Sequence, residues 1–284
     1  AIARPVTDRT RPPGIEWLLE ALGRAERFVR IEQLEVQQPV VGSAVALEEI
    51  AAGDGAISTI MSGHNSVGCM PLVEYGTKTQ KEKYLRPMAR GELLSAFCLT
   101  EPQGGSDAGA IRTRAERRHG AYVLNGTKQF ITSGKNADIA LVFAATDFGL
   151  GKRGISCFIV ETKQTGYCVT RVESKMGQHA SDTCEIRFDE LSVPTENRLG
   201  AEGQGYRIAL ANLEGGRIGI AAQAVGMARA AFEIALRYAQ ERETFGKVII
   251  EHQAVAFRLA EMATQLEAAR ELVHHAAALR SHGL

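Results

Sequence analysis

The hydrophobic period changes twice along this chain, and that alternation restricts the fold more than any other feature. After Gly205, Ile218, Val225, Phe232 and Ala239 recur seven apart, then Val255, Leu259, Met262, Leu266, Ala269 and Val273 follow in steps of four and three. Such spacing draws an apolar stripe down an α-helix. Two long helices joined near Gly246 are therefore expected to pack as an antiparallel pair, with Ala221, Ala222, Ala228 and Ala235 allowing close approach. The second runs almost to Leu284, and a stripe of this kind needs a partner, so further chain, an oligomer, or both are expected to cover it.

Between Phe97 and Val193 the helical period gives way to short β-rich runs. Residues 122–124 and 127–131 flank Asn125-Gly126, a pair that tolerates the positive φ angles of a type I′ turn, so a hairpin is expected there. Residues 139–145, 155–160, 168–172 and 183–188 supply further strands. Four or more strands with no long helix between them predict an antiparallel barrel or sandwich.

The first part of the chain is helical again. Trp17, Leu18 and Leu22 share a helical face, and Val45, Ile50 and nearby alanines predict a buried segment ending near Gly53-Asp54-Gly55. Thr77 with Gln80 three residues later has the form of a capping box, opening a helix that should stop near Pro87 or Gly91. The expected fold class is thus α+β, with an N-terminal helical domain over 1–96, a middle β domain over 97–197 and a C-terminal helical bundle over 198–284 that is incomplete in this chain.

Composition narrows the function classes. At about 150 residues per domain, 284 residues suggest two domains, long enough to bury a core without disulfide or metal staples. Hydrophobic residues make up 45% and charged residues 23%, the balance of a globular protein rather than a disordered one. Lys plus Arg number 33 and Asp plus Glu 33, so no basic excess exists to release counterions from phosphates, which argues against a general nucleic-acid binder. The five cysteines lie far apart with no C-x-x-C pair, which predicts reduced thiols rather than a disulfide framework or a metal site. No uninterrupted apolar run approaches the ~18 residues that span a bilayer, and the N-terminus lacks a signal pattern. A cytoplasmic location is expected, or a mitochondrial matrix one if a transit peptide has been removed.

Three segments could carry chemistry. In Phe97-Cys98-Leu99-Thr100-Glu101-Pro102-Gln103-Gly104-Gly105-Ser106-Asp107 the glycine pair can turn backbone amides toward an anion, though a plain loop would read the same way. No G-x-x-x-x-G-K-[ST] and no strand-to-helix G-x-G-x-x-G accompanies it. Phe130-Ile131-Thr132-Ser133-Gly134 is its companion: together the two segments put the Thr100 and Thr132 hydroxyls and the Phe97 and Phe130 rings at strand or loop ends of one β domain. In Glu214-Gly215-Gly216-Arg217 the glycines cost a helix about 1 kcal/mol each relative to Ala, which favours close approach of a ligand over a purely structural role.

FCLTEPQGGSD, NGTKQFITSG, KMGQHASDT, LEGGRIGIAAQAVG and ERETFGKVIIEHQA, in that order from about Ala46 onward, resemble the acyl-CoA dehydrogenase family. Any one motif is weak; five in order are specific. The resemblance implies three domains of the kinds found above, FAD held between the β domain and the bundle, and a homotetramer. It implies α,β-dehydrogenation of an acyl-CoA thioester, in which a Glu removes the α proton and the β hydrogen leaves as hydride to flavin N5. Electrons would then pass to electron-transferring flavoprotein.

Carried over residue by residue, Phe97, Leu99 and Thr100 would line the flavin ring, with Gly105 and Ser106 at the loop and Ser106 also reaching the CoA portion. Phe130, Ile131 and Thr132 would cover the other side, with the Thr132 hydroxyl near N5. Arg242, Thr244, Phe245, His252 and Gln253 resemble residues that reach the FAD of a neighbouring subunit, although alone Arg242 reads as a helix-end charge and His252 as a helix-start residue. Glu214, Gly215, Gly216 and Arg217 match a substrate-binding turn, and Lys152 aligns with a CoA-contacting position.

The family's catalytic Glu is expected beyond Leu284. In one subgroup it immediately precedes the arginine that Arg217 matches, but here Gly216 holds that place. Glu214 lies two residues earlier, roughly 200° around a helix, and is expected to contribute to substrate binding at most. The alternatives are a flavin oxidase or monooxygenase on the same fold, or a catalytically incomplete FAD- or CoA-binding subunit if the chain ends at Leu284. Overall similarity inclines toward short or branched acyl groups.

Overall fold

The computed structural model describes residues 40–283, so the helical reading of Trp17, Leu18 and Leu22 lies outside the described residues. Helix α1 (Val40–Gly53) ends where Asp54 turns to extended backbone and caps the next helix, its carboxylate accepting from the amides of Ala56 and Ile57 at 2.7 and 3.0 Å. That helix, α2 (Gly55–Gly63), widens into a π-turn at His64–Cys69 and continues as α3 (Met70–Tyr75). Thr77 and Gln80 form the expected capping box, and α4 (Lys78–Gln80) passes through a second π-turn, Lys81–Leu85, into α5 (Arg86–Ala89).

Both π-turns immediately precede a proline-bearing first turn, at Pro71 and at Pro87. The Met70 amide reaches back to Asn65 and that of Arg86 to Lys81, five residues rather than four, so the ladder is already offset where the proline lacks its donor. The helix therefore runs through Pro87 and stops at Gly91. There a left-handed φ of 72° and the bonds Gly91 N to Met88 O and Glu92 N to Pro87 O close a Schellman turn.

The β domain is one folded sheet of β1 (Ser95–Cys98), β2 (Arg114–Arg118), β3 (Ala121–Thr132), β4 (Ile139–Ala145), β5 (Ile155–Glu161), β6 (Tyr167–Val172), β7 (Thr183–Pro194) and β8 (Arg198–Leu199). Its order is β6-β7-β3-β2-β4-β5-β8, with β1 beside β4. Most pairs are antiparallel, but β1 and β2 both run parallel to β4, which corrects the wholly antiparallel expectation. The long 99–113 segment and the β2–β3 hairpin intervene between β1 and β4, and that length of chain is what a parallel return requires.

A second correction concerns Asn125-Gly126. The pair does not turn: β3 continues straight through it, with a bulge between Leu124 and Gly126 against β7. The Asn125 amide is occupied by Glu190, accepting from its backbone N–H at 2.9 Å and donating to its carboxylate at 2.7 Å. Gly126 lies where a Cβ would press into Thr113. The type I′ turn sits instead at His119-Gly120, both with positive φ, joining β2 to β3.

Strand β4 is buried along its whole length. Its alternate residues face two cores. Ile139, Leu141 and Phe143 meet Leu72, Tyr84, Met88 and Ile208 of the helices, while Ala140, Val142 and Ala144 meet Leu124, Ile131, Ile186 and Phe188 inside the sheet.

Helix α6 (Gly205–Glu241) and α7 (Gln253–Ser281) are joined through the short strands β9 (Glu243–Thr244) and β10 (Lys247–Val248), which turn at Phe245-Gly246 as the sequence predicts. By length and composition α6 could cross a membrane. Its apolar content comes largely from alanine and glycine, and it packs against α1, α2 and α7. Gly219 makes this possible, since a Cβ there would come within 2.8 Å of Ser62 Oγ in α2.

Candidate functional site

The segment after β1 is folded by its own polar groups. Glu101 and Gly104 exchange two backbone hydrogen bonds of 3.0 Å, pinching the loop that presents Gly105 and Ser106. The Glu101 carboxylate is buried and saturated: one oxygen accepts from Lys128 Nζ at 2.8 Å and the Thr113 amide at 3.0 Å, the other from the Arg112 amide and Gln103 Nε2 at 2.6 Å each. Burial alone would raise the Glu101 carboxyl, but the Lys128 ammonium and these donors outweigh it and hold the group below the usual carboxylate range. Lys128 is fully buried in β3, and its ammonium also donates to the Leu99 carbonyl at 3.0 Å. The Gln129 amide meets the Thr100 carbonyl at 2.9 Å, so Thr100 lies beside β3.

One residue further along, β3 bulges. The register slips between Lys128 and Ile131, and Phe130 takes a φ of 57°, rare for a bulky side chain. The bulge throws the Phe130 ring outward, 59% exposed, while Ile131 stays in the core. Among the described residues the half-buried hydroxyls of Thr100 and Thr132 have no hydrogen-bond partner, nor does the exposed hydroxyl of Ser106. Gly105 rests against Thr100: a Cβ built on it would lie 3.6 Å from Thr100 Cγ2. Phe97 is half-buried with its ring 4.8 Å from that of Phe143, and Leu99 is buried, so these two contribute packing and backbone rather than open side chains.

This face borders the helices. Thr132 pairs with Thr183, and in the loop just before it Gln178 Oε1 accepts from Thr59 Oγ1 of α2 at 2.6 Å. Thr59 in turn accepts from Gln223 Nε2 of α6 at 2.6 Å. Lys152 is exposed, with its ammonium 5.1 Å from the centre of the Tyr206 ring of α6 and its stem packed on Gly109, just past Ser106.

The sequence assigned 214–217 to a turn at a helix start. They lie well inside α6, because the helix already begins at Gly205. Packing does not demand glycine there: a Cβ on Gly215 or Gly216 would make only ordinary contacts, at 3.7 Å to Arg280 and 3.6 Å to Ser66. Glu214 is exposed and engaged by Arg280 at 3.3 Å, whereas Arg217 is exposed and has no ionic partner among the described residues.

Arg242, Thr244, Phe245, His252 and Gln253 form a separate group at the far end of α6. Arg242 lies nineteen residues past Gln223, about 28 Å of helix. The His252 ring stands edge-on to Phe245 with centroids 6.1 Å apart and its Nε2 is 3.3 Å from Thr244 Oγ1, while Phe245 is 97% exposed.

Models of the acyl-CoA dehydrogenase N-terminal, middle and C-terminal domains match residues 36–92, 96–191 and 203–284. The chain belongs to the acyl-CoA dehydrogenase family. It is 50% identical over 245 residues to an acyl-CoA dehydrogenase of Bacillus subtilis (strain 168), covering 86% of this chain and 65% of that protein. The butyryl-CoA dehydrogenase structure from Megasphaera elsdenii superimposes with a TM-score of 0.85 at 44% identity, over 88% of this chain and 65% of that one. A chain in a structure of the electron transferring flavoprotein of Acidaminococcus fermentans gives a TM-score of 0.88 at 44% identity, over 94% and 71%. The chain spans about 65% of the length of the curated relatives it matches.

Sequence reasoning missed Lys128 and Glu101 as a pair. A lysine inside an otherwise strand-like run was the available signal, since an ammonium on the inner face of a sheet must find a carboxylate.

Proposed function

We propose that this chain is the greater part of an FAD-dependent acyl-CoA dehydrogenase acting on short-chain acyl-CoA thioesters. One observation carries the reading: two unpartnered half-buried hydroxyls, Thr100 and Thr132, flank an aromatic ring, Phe130, held outward by a strained bulge. A planar heteroaromatic ring with hydrogen-bonding edges suits that donor set, and flavin is such a ring. When bound, FAD supplies the hydride acceptor.

The chain's own residues then have distinct tasks. The Thr100 and Thr132 hydroxyls donate to the ring edge, where a fixed donor stabilises charge that develops on reduction. Phe130 covers one face and excludes water. Lys152, whose stem packs on Gly109, and the exposed hydroxyl of Ser106 suit the phosphates of CoA. Gly216 leaves the α6 face open toward Ser66 and Val67 for the thioester, with Gly215 beside it and Arg217 as the next residue's cation. Glu214, tied to Arg280, assists binding at most.

The hairpin group fits a second copy of the chain. A fully exposed Phe245 beside Arg242 gives an apolar contact and a planar cation suited to a neighbour's pyrophosphate. A homotetramer, electron transfer to an electron-transferring flavoprotein, and a cytoplasmic location complete the reading. The test is spectroscopic: the purified protein should be yellow, and butyryl-CoA under argon should bleach it in a form that carries the catalytic Glu expected beyond Leu284, whereas the chain to Leu284 should bind FAD without bleaching. A colourless protein that takes up no added FAD would sink the proposal, and rapid peroxide formation in air would replace it with an acyl-CoA oxidase.

A further inference from the structure

We infer that the buried Lys128–Glu101 pair is a positioning clamp that holds the two walls of the flavin site in register, an inference that rests on the flavin reading above. Lys128 is completely buried and Glu101 nearly so. A buried ion pair is a poor device for stability alone, because desolvating two charges offsets their attraction and apolar residues of similar volume often do as well. What the pair does that an apolar pair could not is make directed bonds at three places around the site.

The first bond is to the backbone of the residue before Thr100: the Lys128 ammonium takes the Leu99 carbonyl at 3.0 Å. The second set lies beyond Ser106, where the Glu101 carboxylate takes the amides of Arg112 and Thr113 at 2.6 and 3.0 Å. The third is within the loop, where the same carboxylate takes Gln103 Nε2 at 2.6 Å. Lys128 itself stands in β3 two residues before the bulged Phe130 and four before Thr132. One cluster therefore ties the start of the glycine loop, its far side and the bulged strand to a single ion pair. Besides it, among the described residues only the Gln129 amide to Thr100 carbonyl bond joins the loop at Thr100 to β3. Lys128 and Glu101 are closed off from solvent and act through Thr100 and Phe130.

The test uses the purified, FAD-reconstituted protein with Lys128→Met, Glu101→Gln and the double variant. Three readouts are needed: the FAD dissociation constant from flavin fluorescence, the visible absorption bands of the bound flavin, and the melting temperature of the flavin-free protein. Lys128→Met should weaken FAD binding at least tenfold and shift the bound flavin's bands. The double variant, with no unpaired buried charge, should regain most of the lost melting temperature. It should keep the weak flavin binding and altered bands, because the Leu99 carbonyl still lacks its donor. If Lys128→Met does not fold, Glu101→Gln and the double variant decide by the same comparison. A double variant that binds FAD with wild-type affinity and spectrum overturns the clamp alone. A wild-type protein that takes up no FAD overturns the clamp and the flavin reading together.

Discussion

Gly226 of α6 lies directly on the backbone of Glu48 in α1: a Cβ at position 226 would overlap the Glu48 carbonyl oxygen. The same Glu48 sends its buried carboxylate to α7, where Arg270 Nε lies at 2.9 Å and His274 Nε2 at 3.2 Å, and toward Arg229 of α6 at 3.6 Å. A single residue of the N-terminal helices thus sets the spacing of both long C-terminal helices.

Gly226→Ala tests that contact. Alanine is the better helix former by about 1 kcal/mol. Overpacking against fixed backbone costs about 1–3 kcal/mol and occasionally more, and here no flexible side chain can give way. A net destabilisation of about 1–2 kcal/mol is expected in chemical denaturation. The control is Gly215→Ala, where the added Cβ meets only the end of Arg280 at 3.7 Å and stability should rise.

Much of this architecture is legible in the residues, and each part that is not has a physical reason. Residues 139–145, the Thr77–Gln80 box and the Phe245-Gly246 turn declare themselves through local pattern, and each forms where the pattern puts it. Asn125-Gly126 carries an equally strong local signal for a turn, but Glu190 on β7 captures the Asn125 side chain and the strand runs on. Pro87 should break a helix, yet the preceding π-turn removes the conflict. At Pro87 the decision is local, a helix ladder offset by one residue; at Asn125 a bond to a residue outside the local window decides. The site behaves likewise: motif order singles out Thr100, Phe130 and Thr132, but the outward ring depends on sheet register between β3 and β7, and the Lys128–Glu101 bond spans 27 residues.

Phe130→Gly separates strain from function. A left-handed φ costs a bulky residue of order 1 kcal/mol, and glycine adopts it freely. The ring is mostly exposed in the flavin-free protein, so its removal forfeits little burial. The variant should melt at or above the wild-type temperature while binding FAD several-fold more weakly. A fall in melting temperature with unchanged FAD affinity would assign the ring to the core instead.

The thiols should divide sharply by reactivity. Burial pushes Cys69 and Cys98 up to about 12, and Cys157 still higher. Cys184 is also pushed up to about 12 by burial and by Asp182. A thiol held near 12 is almost wholly protonated at pH 8, and the thiolate is the reactive form. Cys168 on β6 is half-buried, and all five are free. A disulfide exchange reagent at pH 8 should therefore modify one thiol in the native protein, Cys168, and all five in denaturant. Cys168→Ser should abolish the fast phase.

Acid should weaken the fold through specific carboxylates. Lys128 and the surrounding donors, outweighing burial, hold Glu101 low; the Leu94 amide and then Lys163 do so for Asp138; Lys83 and then Tyr84 do so, against burial, for Glu161. In each case the folded group titrates below its unfolded value, which is about 3.9 for Asp and about 4.3 for Glu. The folded state then holds fewer protons than the unfolded chain as pH falls through this range, so protonation favours unfolding. The stabilisation from these groups is complete above about pH 5 and is lost as pH drops through the folded values. Melting temperature should therefore not vary on their account between pH 6 and pH 7, and should decline below about pH 5. Glu101→Gln removes the most deeply buried of the three, so its melting temperature, lower than wild type at neutral pH, should approach the wild-type curve as both are acidified. Curves that stay parallel down to pH 3 would show that Glu101 does not titrate with folding.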